Sequence, residues 1–193
     1  MAGGLGEVLD CQPCRLDVTA DVVLGLRFQR EVLPDGTQAL RGVTVSDTSG
    51  RALQVLSIED MDPIESGGSF MIQAQDLDFD GYRDLMLLTR RGGANAYALY
   101  WRYDPAPGRL VALGEHAVLA VDPGRRRLSS YERGGHAGRI YAAREYVLRG
   151  GELIVTAEEV QRFEPDANVY RRVRRERADG ELREVAEEVV PAE

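Results

Sequence analysis

Between residues 76 and 84 the chain reads DLDFDGYRD, which sets Asp76, Asp78, Asp80 and Asp84 around a single glycine, Gly81. Carboxylates this crowded repel one another, and a cation among them would offset the repulsion. The acids fall at loop positions one, three, five and nine. Gly81 takes position six, where a calcium loop turns sharply, and the Tyr82 carbonyl falls at position seven. Hard oxygen donors that alternate along a tight turn suit Ca2+. Mg2+ takes fewer protein ligands and a stricter octahedron, and transition metals favour His or Cys. An EF-hand would need a glutamate at position twelve, where Leu87 stands, and helices on both sides. The spacing therefore predicts a calcium loop carried between strands, against the alternative of an acidic surface turn that holds no ion.

Other reactive side chains are sparse. Cys11 and Cys14 form a CQPC pair, and His116 and His136 lie far from it in sequence. Two cysteines cannot supply a four-thiolate zinc site, and no βαβ pattern follows to suggest a redox motif. The pair reads as a local disulfide in an oxidising compartment, or otherwise as two free thiols. No Ser-His-Asp arrangement, H-E-x-x-H or phosphate loop is present, and the four acids of one tight turn are better placed to coordinate than to flank a substrate. The expectation is a protein without catalysis of its own. His136, among glycines, reads as a solvated loop residue, and YRRVRRER (170–177) as a strand with a solvated basic face.

The elements that must position the acidic loop have the period of strands. In VVLGLRFQR, Val22, Leu24, Leu26 and Phe28 share one face, and in YALYWRY, Tyr97, Leu99, Trp101 and Tyr103 share another. GSFMIQAQ enters the loop and LMLLT leaves it as a short apolar strand. LRGGEL and RADGEL read as tight hairpins, and PDG at 34–36 as a turn. About ten strands are expected; residues 157–162 and 181–190 read as either strand or short helix. With 193 residues, 44% hydrophobic and 29% charged, the chain fits one all-β antiparallel domain spanning 1–193. A propeller with degenerate blades is expected, or else a two-sheet sandwich, with residues 1–14 and 190–193 peripheral.

A net charge of −8 argues against general nucleic-acid binding, and no apolar run is long enough for a membrane helix. All 24 basic residues are arginine, which fits compositional bias as readily as function. MAGGLGEVLD lacks the charged start and apolar core of a signal peptide. The expectation is nonetheless an exported, periplasmic monomer whose leader has been removed, because a weak extracellular-type calcium site stays filled outside the cytoplasm.

DLDFDGYRDLMLL followed by RGGANAYALYWRYDPAPGRL resembles the calcium-binding, propeller-like lysozyme-inhibitor and immunity proteins of Gram-negative bacteria, which protect the periplasm from lysozyme-like effectors injected through type IV secretion systems. The matching residues are Asp76, Asp78, Asp80, Gly81, Tyr82, Asp84 and Leu85, then Gly92, Gly93, Tyr97, Tyr100, Tyr103, Asp104, Pro105 and Gly108. The loop by itself is also similar to FG-GAP and VCBS repeats of adhesins. The resemblance implies Asp76, Asp78, Asp80, Asp84 and the Tyr82 carbonyl as Ca2+ ligands. It also implies a partner, a lysozyme-like peptidoglycan hydrolase that is bound and inhibited. The candidate contact segment is SSYERGGHAGRIY, with Tyr131, Arg133, His136 and Arg139; the alternative for its tyrosines is strand packing. A glycan- or surface-binding adhesin module is the alternative function.

Overall fold

The computed structural model describes residues 7–8, 14–59, 61–65 and 68–192. Among them the chain forms antiparallel strands and one short 3-10 turn, His136–Gly138. A five-stranded sheet contains β1 (Glu7–Val8), and a four-stranded sheet is built from β2 (Cys14–Asp17), β3 (Val23–Val32), β4 (Gln38–Ser46) and β5 (Ala52–Ser57). The chain then completes the first sheet with β6 (Ile72–Gln75), β7 (Asp84–Arg91), β8 (Ala96–Asp104) and β9 (Arg109–Ala117), in the order β1-β6-β7-β8-β9. A six-stranded meander follows: β10 (Ala120–Asp122), β11 (Arg127–Arg133), β12 (Tyr141–Arg149), β13 (Glu152–Glu164), β14 (Val169–Ala178) and β15 (Glu181–Pro191). The fold class is all-β and antiparallel, as the alternation of the sequence requires.

The chain gathers into two compact units. The first comprises 1–91 and 96–116, the second 92–95 and 117–193. In the first unit the two sheets share one core. Leu16, Leu24, Leu26, Val43 and Leu56 come from the four-stranded sheet, and Ile72, Leu85, Leu87, Trp101 and Tyr103 from the five-stranded one, with Val22 and Phe28 packed at its margin. Each fully buried side chain of this size contributes about 1.5–3 kcal/mol. The aromatic stripe of β8 is therefore mostly core. Tyr97 is the exception: it lies only partly buried, with the Arg90 guanidinium 5.3 Å from its ring centroid. Strand β7 is buried on both faces from Asp84 through Leu87. Its alternation sends Leu85 and Leu87 into the core, while Asp84 and Met86 face the other side.

The second unit has far fewer buried apolar residues, chiefly Leu119, Leu128, Tyr146 and Tyr170. Charged pairs across strands accompany them. Arg144 on β12 bridges Glu132 on β11 (2.5 Å) and Glu158 on β13 (2.9 Å), and Arg175 on β14 also reaches Glu158 (3.0 Å). The arginine-rich β14 meets acidic β15, where Arg171 pairs with Glu187 and Arg172 with Glu188. The basic face expected to be solvated thus finds its acids within the same sheet. Residues 157–162 and 181–190, ambiguous by pattern, both lie in strands. The two hairpins read from LRGGEL and RADGEL close with two-residue turns. Gly150 and Gly151 join Arg149 to Glu152, and Asp179 and Gly180 join Ala178 to Glu181, all four turn residues with positive φ.

Candidate metal centre

The acidic loop connects β6 to β7, two antiparallel neighbours in register at Gln75 and Asp84. Because β7 opens on Asp84, that carboxylate starts inside the sheet and is 1% exposed. Its Oδ2 accepts from the Leu77 amide (2.7 Å) and its Oδ1 from the Tyr103 amide on β8 (2.7 Å). One side chain thereby ties the loop to both neighbouring strands. At the other end Asp76 accepts from the Asp80 amide (3.1 Å) and the Gly81 amide (3.0 Å), which closes the turn. Gly81 sits at φ +91°, a conformation that an L side chain strains to adopt. Rings of Tyr82 and Tyr103 stack at 5.6 Å.

Oxygen atoms of Asp76, Asp78 and Asp84 lie within 4.8 Å of one another. Opposite ligands of a single Ca2+ are about 4.6–5.2 Å apart at ordinary bond lengths, so the three fall within reach of one such ion. Asp80 is exposed, and its Oδ1 accepts from the Tyr82 amide (2.8 Å). The donors that converge are therefore three of the four aspartates, and all are oxygen. This chemistry fits a hard cation and offers nothing to a thiophilic one.

The electrostatics point the same way. Burial pushes the Asp84 carboxyl up to about 8, against the pull of its two backbone hydrogen bonds, with the charges of Asp78 and Asp80 adding to the rise. Asp78 is also raised, first by burial and then by the neighbouring Asp80 charge, with Arg102 opposing. Arg102 reaches Asp78 at 3.5 Å and Asp104 at 3.2 Å. Two ionised carboxylates 4.8 Å apart repel by roughly 3.5 kcal/mol at an effective dielectric of 20. One cation of charge two removes that cost, while a proton on Asp84 removes only part of it. Beside the trio, Gln75 Oε1 and Arg102 Nε are buried with no hydrogen-bond partner among the described residues. Neither was expected from motif spacing. Strand alternation was the available signal for Gln75, which stands directly opposite Asp84.

The remaining expected residues lie elsewhere. Cys14 is 2% exposed and disulfide-bonded, while Cys11 lies outside the described residues. Tyr131, Arg133, His136 and Arg139 all belong to the second unit and are exposed. Tyr131 stacks on Tyr141 at 5.4 Å. His136 Nδ1 is 2.9 Å from the Tyr170 hydroxyl and its ring packs on Phe163, while Arg139 lies over Tyr170. The 134–140 connection is thus folded onto its own sheet, and the four residues follow one side of β11–β14.

No protein-family profile and no curated protein matches the chain. A solved structure described as that of a Xanthomonas type IV secretion system related protein is similar, with a TM-score of 0.61 over 96% of each chain at 16% identity. The likeness is one of fold.

Proposed function

We propose that this protein is a calcium-stabilised protein of the bacterial envelope that binds and inhibits a lysozyme-like peptidoglycan hydrolase. It would act as an immunity protein against secreted antibacterial effectors and perform no chemistry itself. The observation that carries the reading is the convergence of Asp76, Asp78 and Asp84, with Asp84 buried and fastened to two strands. Such a site is part of the scaffold: an ion there ties β6, β7 and β8 together and leaves the reactive work to none of them. Ca2+ is the expected ion, held by those three carboxylates. Fold likeness to a type IV secretion system related protein supports the setting. The meander runs β2–β5, β6–β9 and β10–β15 suit propeller-like blades. The contact surface of this reading is the exposed edge of the second unit at Tyr131, Arg133, His136 and Arg139, since exposed Tyr and Arg commonly anchor interfaces.

The test is a lysis assay. Purified protein with millimolar calcium is mixed with a panel of lysozyme-like hydrolases. The expected result is a one-to-one complex on size exclusion and loss of lytic activity for at least one enzyme. Full activity of every enzyme, with no complex at micromolar concentration, refutes the reading.

A further inference from the structure

We propose that a trough on the six-stranded sheet of the second unit binds a short neutral oligosaccharide. The register creates it. One row across the sheet reads Tyr131, Ala143, Glu159 and Arg174, and the next reads Ser129, Glu145 and Ala157. Residues directly opposite on antiparallel strands share a face, so two alanines on a diagonal leave a depression walled by larger side chains. Its volume is about 550 Å³, inside the range of roughly 300–1,000 Å³ typical of small-ligand sites.

The walls are held in place before any ligand arrives. Tyr131 is 51% exposed, yet its ring is fixed by stacking on Tyr141. The Tyr141 hydroxyl donates to Glu159 (2.5 Å), Glu145 pairs with Arg127 (2.5 Å), and Arg174 pairs with Glu176 (2.8 Å). An exposed aromatic ring beside a ring of oriented donors and acceptors is a rigid amphipathic surface.

Three kinds of ligand can be compared with it. The trough is lined by Arg144 and Arg174 against Glu145, Glu158 and Glu159. Glu145 is paired with Arg127, Glu158 with Arg144 and Arg174 with Glu176, and Glu159 accepts from the Tyr141 hydroxyl. The wall charges are already engaged within the sheet, and the one negative charge in excess is a weak lure for an ion. A wholly apolar ligand would strip water from these groups without replacing its hydrogen bonds. A pyranose does neither: its C–H face can lie on the negative face of an aromatic ring, while its hydroxyls both donate and accept at the rim. The alanine floor gives a flat ring room to approach.

The test is a titration of the calcium-loaded protein with cellotriose and with chitotriose, followed by amide NMR shifts. Saturable shifts confined to residues 118–174 are expected with either sugar below about 10 mM. Tyr131→Ala, which removes the ring, and Ala157→Arg, which fills the floor, should each weaken binding at least about tenfold. Both should stay folded: Tyr131→Ala loses one stacking contact, about 0.5–1.5 kcal/mol or a few degrees in melting temperature, and Ala157 is half-buried on a sheet face. Absence of saturable shifts with both sugars overturns the proposal, and so does binding that both variants leave intact. No hydrolase is present in the titration, so its outcome is independent of the lysis assay.

Discussion

Asp84 has two ways to lose the cost of its buried charge, a proton or a cation, and pH should decide between them. In calcium-free protein its carboxyl is held up at about 8 by burial, whereas in the unfolded chain it titrates near 3.8. Between those values the folded state keeps a proton that the unfolded state has released. Stability of the calcium-free form therefore falls as pH rises from about 4 to about 8. At 1.36 kcal/mol for each pKa unit, the full span is at most roughly 6 kcal/mol. Calcium must displace that proton, so its stabilising effect should grow over the same range. At about 100 times its dissociation constant the ion contributes roughly 2.7 kcal/mol, or about 5–11 °C in melting temperature for a protein of this size. The assay is thermal unfolding at pH 5 and pH 8, with and without calcium, for the wild type and Asp84→Asn. The wild type should melt lower at pH 8 than at pH 5 without calcium, and should gain most from calcium at pH 8. Asp84→Asn should lose both responses. At pH 5 it should also start about 1–3 kcal/mol less stable, because an amide cannot accept from both the Leu77 and Tyr103 amides. A wild type indifferent to calcium at pH 8, or an Asp84→Asn variant that keeps the full pH response, refutes the reasoning.

Other perturbations act on separate parts of the molecule. Gly81→Ala meets no atom within 4 Å, so its cost comes from the backbone at φ +91° alone, about 1–3 kcal/mol by denaturant unfolding. It should also weaken calcium binding, since a backbone shift that relieves this φ moves the residue-81 amide off Asp76. Leu87→Ala removes a fully buried side chain from the first unit's core and should cost about 2–5 kcal/mol in the same measurement. Arg144→Met strips Glu132 and Glu158 of a shared partner and should cost about 1–3 kcal/mol, read as faster hydrogen exchange in β11–β13.

Most of the strand framework can be read from alternation and turn chemistry, because both are local. Val22, Leu24, Leu26 and Phe28 share a face in the sequence and meet the core in the fold. Asp179 and Gly180 tolerate positive φ, and that alone places a hairpin there. The segment 181–190 resists the same treatment. Its glutamates and alanine suit a helix, and the cross-strand arginines that hold it in β15 are visible only once β14 is paired with it. The acidic loop shows a similar divide. Spacing marks Asp76, Asp78 and Asp84, but Asp80 carries the same signal, though its carboxylate turns to the Tyr82 amide. Gln75 and Arg102 enter the neighbourhood through pairing across β6, β7 and β8, a long-range fact that no motif encodes.

The convergence of three carboxylates on one ion is tested most directly by titrating calcium into calcium-free protein at pH 8 in a calorimeter. One ion per chain is predicted, with a dissociation constant of about 10⁻⁴–10⁻³ M as for other extracellular-type sites, and binding should vanish in Asp76→Asn/Asp78→Asn. Absence of binding up to about 10 mM calcium, or undiminished binding in that double variant, would contradict it.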